Sequence, residues 1–130
     1  MASVVCKFLH TRMRVNDLDK TTEFYQKVFG LEVTRSHQSP RGSKLVFLSV
    51  PNSEEEIELT YFPSSGPVIV QEDLIHLAFE VESMSKFEAH IESIGVSLSD
   101  GPTKSSSGSI FAFVDAPDGY EIEVIEKPKN

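Results

Sequence analysis

The sequence predicts an α+β fold of two βαβββ modules in tandem, with curved mixed sheets and helices on their outer face. Two observations predict it: short strand patterns alternate with two helix patterns, and the same order of elements occurs twice along the chain. A length of 130 residues suits one domain with a buried core. We therefore expect a single domain, with module one at about 5–62 and module two at about 74–127.

Module one begins with a strand pattern over 5–15. Asn16-Asp17 is typical of a helix start, because a short side-chain oxygen there accepts a backbone N–H of the first turn. The helix is predicted from apolar residues at three- and four-residue spacing, and Gly30 ends it. Those apolar residues are Phe24, Tyr25, Val28 and Phe29. Strand patterns follow at 31–35, 45–50 and 56–61, before a Pro-, Ser- and Gly-containing linker over 63–73.

Module two repeats this order. A strand pattern over 75–81 precedes a helical stripe that Gly95 ends. The stripe consists of Met84, Phe87, Ile91 and Ile94. Strand patterns are predicted at 96–98, 110–114 and 120–125, with a turn over 115–119 between the last two.

The two modules can be superimposed on their histidines. His10 and Val15 are five residues apart, as are His76 and Val81, and a helix-ending glycine follows each histidine by 20 or 19 residues. This agreement indicates an internal duplication. Neither module has enough core to stand alone, so the two are expected to share a sheet surface.

Four residues in this duplication are of metal-ligand type. His10 and His76 lie in the first strand of each module, and Glu58 and Glu123 lie 48 and 47 residues later, in the last strand. Strand alternation places all four on the polar face of a sheet. A single such residue is more often part of a solvated face, but four in register favour a site. Two neutral imidazoles and two carboxylates balance a divalent zinc, nickel, cobalt, iron or manganese ion.

Composition narrows the class of partner. Twenty acidic residues against twelve basic ones give a net charge of −8, which disfavours nucleic acids and anionic membranes. Cys6 is the single cysteine, which indicates a reducing compartment. With no apolar run long enough for a signal-peptide core or a membrane span, we expect a cytoplasmic protein.

A family resemblance rests on five segments that occur in order. They are HTRMRV (10–15), FYQKVFGL (24–31), IELTY (57–61), IHLAF (75–79) and FVDAPDGYEIE (113–123). Together they resemble the short form of glyoxalase I (lactoylglutathione lyase) of the vicinal-oxygen-chelate superfamily, over about 10–126. The resemblance implies the fold of that superfamily and identifies His10, Glu58, His76 and Glu123 with its metal ligands. It also implies one divalent metal ion per site, with nickel or cobalt favoured and zinc possible.

The same resemblance implies a homodimer, in which His10 and Glu58 of one subunit meet His76 and Glu123 of the other. The implied reaction detoxifies methylglyoxal by isomerising its glutathione hemithioacetal to S-lactoylglutathione through a metal-stabilised enediolate. Glu123 is then the proton-transferring base, and Glu58 is a second catalytic carboxylate for the other hand of the substrate.

Arg14 and Lys104 are the residues that the resemblance assigns to glutathione. Phe62 stands where the family usually has an asparagine that contacts glutathione, so the thiol is open. Two alternatives also remain. One is another metal-dependent enzyme of the superfamily, acting on a different thiol adduct or acyl thioester, and the other is a metal-free small-molecule-binding protein of the same fold.

Overall fold

A computed structural model describes residues 4–129 of the chain. Within them, unit 1 contains β1 (His10–Arg14), α1 (Leu18–Phe29), β2 (Glu32–Gln38), β3 (Lys44–Ser49), β4 (Glu56–Tyr61) and a 3-10 turn (Pro63–Ser65). Unit 2 contains β5 (His76–Glu80), α2 (Met84–Ser93), β6 (Asp100–Lys104), β7 (Ile110–Asp115), a 3-10 turn (Pro117–Gly119) and β8 (Glu121–Glu126). The boundary between these two compact units lies between Val68 and Ile69, inside the predicted linker.

Both units have the same sheet topology. The strand order is β1-β4-β3-β2 in unit 1 and β5-β8-β7-β6 in unit 2. The first and last strand of each unit are parallel neighbours, and the other pairs are antiparallel. This confirms the predicted fold of two βαβββ modules and brings each histidine-bearing strand beside the glutamate-bearing strand of its own module.

The core of unit 1 lies between its sheet and α1. Asp17 caps the helix by accepting the backbone N–H of Lys20 at 3.0 Å, and Gly30 ends it in the left-handed conformation. The helix buries Tyr25 and Val28 on its sheet-facing side. Both ends of the helix therefore lie where the sequence predicts them.

The core of unit 2 is built in the same way. Ser83 caps α2 by accepting the backbone N–H of Lys86, and Met84, Phe87 and Ile91 are buried. The helix ends at Ser93, with Gly95 at a φ of +77° just beyond it. The predicted end is thus correct to within two residues.

The strand predicted at 96–98 is wrong, since the strand of this region is β6, at Asp100–Lys104. The sequence pattern does not predict β6, because the strand contains Gly101 and Pro102, which are both typical of turns. At the sheet edge they are tolerated, and the register of β6 against β7 shifts between Asp100 and Thr103. Lys104 is consequently the last residue of a strand.

The first strand is also shorter than predicted, since β1 covers only His10–Arg14 of the expected 5–15. Leu9, directly before it, is 65% exposed.

Among residues 4–129, neither helix has the length and the apolar character needed to cross a membrane.

Candidate metal centre

In unit 1, the pairing of parallel strands brings His10 and Glu58 together. Arg12, two residues after His10, lies opposite Glu58 in the register of β1 and β4. Because alternate residues of a strand share a face, His10 and Glu58 lie on the same side of the sheet. Nε2 of His10 is 3.3 Å from Oε1 of Glu58.

Unit 2 repeats this arrangement with His76 and Glu123. Ala78 lies opposite Glu123 in the register of β5 and β8, just as Arg12 lies opposite Glu58. Nε2 of His76 is 3.1 Å from Oε1 of Glu123. The two units thus present the same pair of donor atoms, an imidazole nitrogen and a carboxylate oxygen, at nearly the same separation.

An aromatic ring supports each imidazole, and sequence reasoning missed both rings. Phe47 on β3 contacts His10 edge-to-face, with ring centroids 5.6 Å apart, and Phe113 on β7 contacts His76 in the same way at 5.5 Å. Phe47 and Phe113 also lie opposite Glu58 and Glu123 in the sheet register. The signal was present in the duplication, because each phenylalanine follows its histidine by 37 residues.

The surroundings of the two carboxylates differ. The Glu58 side chain is 8% exposed, and its Oε2 accepts a hydrogen bond from Oγ1 of Thr60 at 2.6 Å. Nε of Arg12 lies 3.2 Å from the same oxygen. The Glu123 side chain is 19% exposed. Within residues 4–129, its carboxylate has one hydrogen-bonding partner, the imidazole of His76.

Each pair fits half of a metal coordination sphere. Two ligand atoms about 2.1 Å from a metal ion and roughly at right angles lie about 3 Å apart, which is close to the separation in both pairs. Imidazole and carboxylate donors without thiolate suit nickel, cobalt or zinc. Among residues 4–129, no group of three or more His, Cys, Asp or Glu side chains could hold a metal ion. The structure therefore assembles one His–Glu pair in each unit.

The predicted substrate-binding residues lie at the ends of strands. Arg14 ends β1, and its guanidinium donates to the carbonyl oxygen of Gly66. Lys104 is exposed at the end of β6 in unit 2. Phe62 directly follows β4, at the start of the 3-10 turn. Exposed Cys6 lies before β1.

The chain as a whole is similar to proteins of one known family. The model of the Glyoxalase/Bleomycin resistance protein/Dioxygenase superfamily matches residues 7–124. A lactoylglutathione lyase of Haemophilus influenzae is 36% identical over 125 residues, which cover 92% of this chain and 92% of that protein. Two plant relatives, 33% and 32% identical, are longer, and the chain spans 44% of their length.

Solved structures agree with the fold. The trypanothione-dependent glyoxalase I of Leishmania major is 33% identical, with a TM-score of 0.76 over 95% of this chain and 88% of that one. An antibiotic binding protein from a Streptomyces species superimposes with a TM-score of 0.78 over 98% of this chain and 100% of that one. At 18% identity, this second likeness shows the fold alone.

Proposed function

Because the chain belongs to the glyoxalase, bleomycin resistance protein and dioxygenase superfamily, we propose that it is a metal-dependent glyoxalase I. The proposed reaction isomerises the hemithioacetal of methylglyoxal and glutathione to S-lactoylglutathione. One structural observation carries the proposal: each unit presents a His–Glu pair at the same register of equivalent parallel strands. The lactoylglutathione lyases among its relatives supply the choice of reaction.

A complete site is proposed to form between two copies of the chain, with His10 and Glu58 from one copy and His76 and Glu123 from the second. Support comes from the residues directly before each histidine. Phe8-Leu9 and Leu74-Ile75 are large apolar residues that are 46–65% exposed within one chain. Such apolar surface beside both His–Glu pairs is suited to burial against a second copy of the chain.

A divalent cation held by these four side chains would supply Lewis-acid stabilisation of the two oxygens of the enediolate. The protein's own task is then to move a proton between two adjacent carbons. Glu123 is the proposed base that takes the proton from one carbon and returns it to the next. Its carboxylate suits this role, because it is more exposed than that of Glu58 and is tied only to His76 within the described residues.

Arg14 and Lys104 are proposed to bind the carboxylates of the thiol, since a cationic side chain pairs well with a carboxylate. Phe62 lacks the hydrogen-bonding amide that the family resemblance leads one to expect at that position. The thiol is therefore best tested with both glutathione and trypanothione, which the Leishmania enzyme uses. The cytoplasm is the proposed location, on the evidence of the single cysteine.

The test is an assay of thioester formation from methylglyoxal and each thiol, using protein reconstituted with nickel, cobalt or zinc. The proposal expects activity in the wild type and a large loss, at least about 100-fold, in Glu123→Gln, since general-base catalysis contributes about 10²–10⁴-fold. Inactivity with every metal and both thiols would contradict the proposal. If equilibrium dialysis also found no metal bound, a metal-free binding protein of the same fold would be favoured.

A further inference from the structure

The two His–Glu pairs share a geometry, but within residues 4–129 only the Glu58 carboxylate has polar contacts beyond its histidine. Both groups that hold Glu58 contact the same oxygen: Oγ1 of Thr60 lies 2.6 Å from Oε2, and Nε of Arg12 lies 3.2 Å from it. The other oxygen, Oε1, faces His10. We name Arg12 and Thr60 the carboxylate clamp.

Within residues 69–129, unit 2 has no counterpart of the clamp. The position opposite Glu123, equivalent to that of Arg12, is Ala78. The residue two positions after Glu123, equivalent to Thr60, is Ile125. Neither side chain can donate a hydrogen bond. The duplication has therefore kept both ligand pairs but provides the clamp at only one of them.

We propose that Arg12 and Thr60 are positioning residues that fix Glu58 as a static, one-oxygen ligand and leave Glu123 as the only mobile carboxylate. This rests on the proposed function. The Thr60 hydroxyl donates a hydrogen bond to Oε2, and the Arg12 guanidinium forms an ion pair with the same oxygen. Together they restrain Oε2 from turning toward a metal ion or a substrate carbon, so Glu58 offers Oε1. Burial of the Glu58 side chain adds to this restraint. The clamp thereby makes the two halves of a duplicated fold unequal and assigns proton transfer to Glu123 of unit 2. On this proposal Glu58 does not take the second catalytic role that the family resemblance implies for it.

Metal affinity tests the positioning of Glu58 without reference to activity. We expect Thr60→Val to weaken nickel or zinc binding about tenfold or more, since losing a partner of a ligand typically costs 10–100-fold in affinity. Thr60→Ser, which keeps the hydroxyl, should restore most of it. Arg12→Gln and Arg12→Met form a second matched pair: both remove the charge, but only glutamine retains a donor, so methionine should bind metal more weakly.

The mobility of Glu123 is tested by transplanting the clamp. Ala78→Arg combined with Ile125→Thr gives Glu123 the guanidinium and the hydroxyl of the clamp, and Ala78→Met combined with Ile125→Val is the control of similar bulk. We expect the transplant to lower kcat at least about tenfold below the control, with KM changed less. A general fold defect would affect both variants. The difference in kcat between them therefore measures the effect of the added guanidinium and hydroxyl.

The possible results separate this inference from the proposed function. If the wild type binds metal but the Val and Ser variants at position 60 bind it equally well, the clamp has no positioning role. Equal kcat in the transplant and its control would overturn the assignment of mobility to Glu123. If the wild type binds no metal, the proposed function fails. The clamp is then judged in the metal-free protein, where Thr60→Val must unfold at a lower urea concentration than Thr60→Ser.

Discussion

Phe47→Leu removes a ring that contacts both His10 and Arg35. The Phe47 ring contacts the imidazole of His10 edge-to-face at 5.6 Å, and Cζ of Arg35 lies 3.9 Å from its centroid. An aromatic pair contributes about 0.5–1.5 kcal/mol beyond its buried area. A cation–π contact of an exposed arginine contributes about 0.5–1 kcal/mol. We expect the variant to lose about 1–2.5 kcal/mol of the free energy of unfolding, beyond the change in buried area.

Urea denaturation of the metal-free protein measures this loss, and two double-mutant cycles divide it. Combining Phe47→Leu with His10→Ala should give a coupling of about 0.5–1.5 kcal/mol, and combining it with Arg35→Met should give about 0.5–1 kcal/mol. Independent sites add to within about 0.3–0.5 kcal/mol. If neither coupling exceeds about 0.5 kcal/mol, the ring stabilises neither side chain and the expected loss is contradicted.

Three further predictions concern the framework around the sites, each measured as a change in thermal or urea unfolding. Asp17→Ala should cost about 1 kcal/mol, because the cap of α1 is lost, and Asp17→Ser should cost much less. Thr21→Val should be neutral or stabilising, because the Thr21 hydroxyl is buried and finds no hydrogen-bonding partner in the described part of the chain, 4–129; a clear loss would show that it has one. Gly101→Ala should destabilise more than Gly66→Ala, because both glycines have positive φ but only at Gly101 would a Cβ lie 2.9 Å from a carbonyl oxygen. Equal costs would contradict that clash.

Much of the fold follows from local patterns in the sequence. The caps at Asp17 and Gly30 fix the ends of α1, and the repeated His-to-Gly spacing predicts the duplication that the sheet topology confirms. The failure at β6 has a local cause as well. Its Gly101-Pro102 pair has no place in a central strand but is tolerated in an edge strand, and sequence periodicity does not tell an edge from a centre.

The site was predictable only in part. Alternation along β1 places His10 and Arg12 on one face, but that Arg12 contacts Glu58 depends on the parallel pairing of β1 with β4, which are far apart in sequence. Alternation along β4 likewise places Thr60 on the face of Glu58, but the pattern does not determine that the Thr60 hydroxyl turns toward the carboxylate. The equivalence of Phe47 and Phe113 could have been predicted, since their equal spacing from the histidines is visible in the sequence alone. The substrate-binding roles of Arg14 and Lys104 stay predictions.

In the proposed dimer, each active site joins unit 1 of one copy to unit 2 of another. Two variants test it: one has His10→Ala with Glu58→Gln, and the other has His76→Ala with Glu123→Gln. Each should be inactive alone in the thioester assay. Co-expression with different tags allows the mixed dimer to be purified, and one of its two sites then retains all four wild-type side chains. We predict about half of the wild-type activity per dimer, whereas a mixed dimer as inactive as its parents would contradict the shared site.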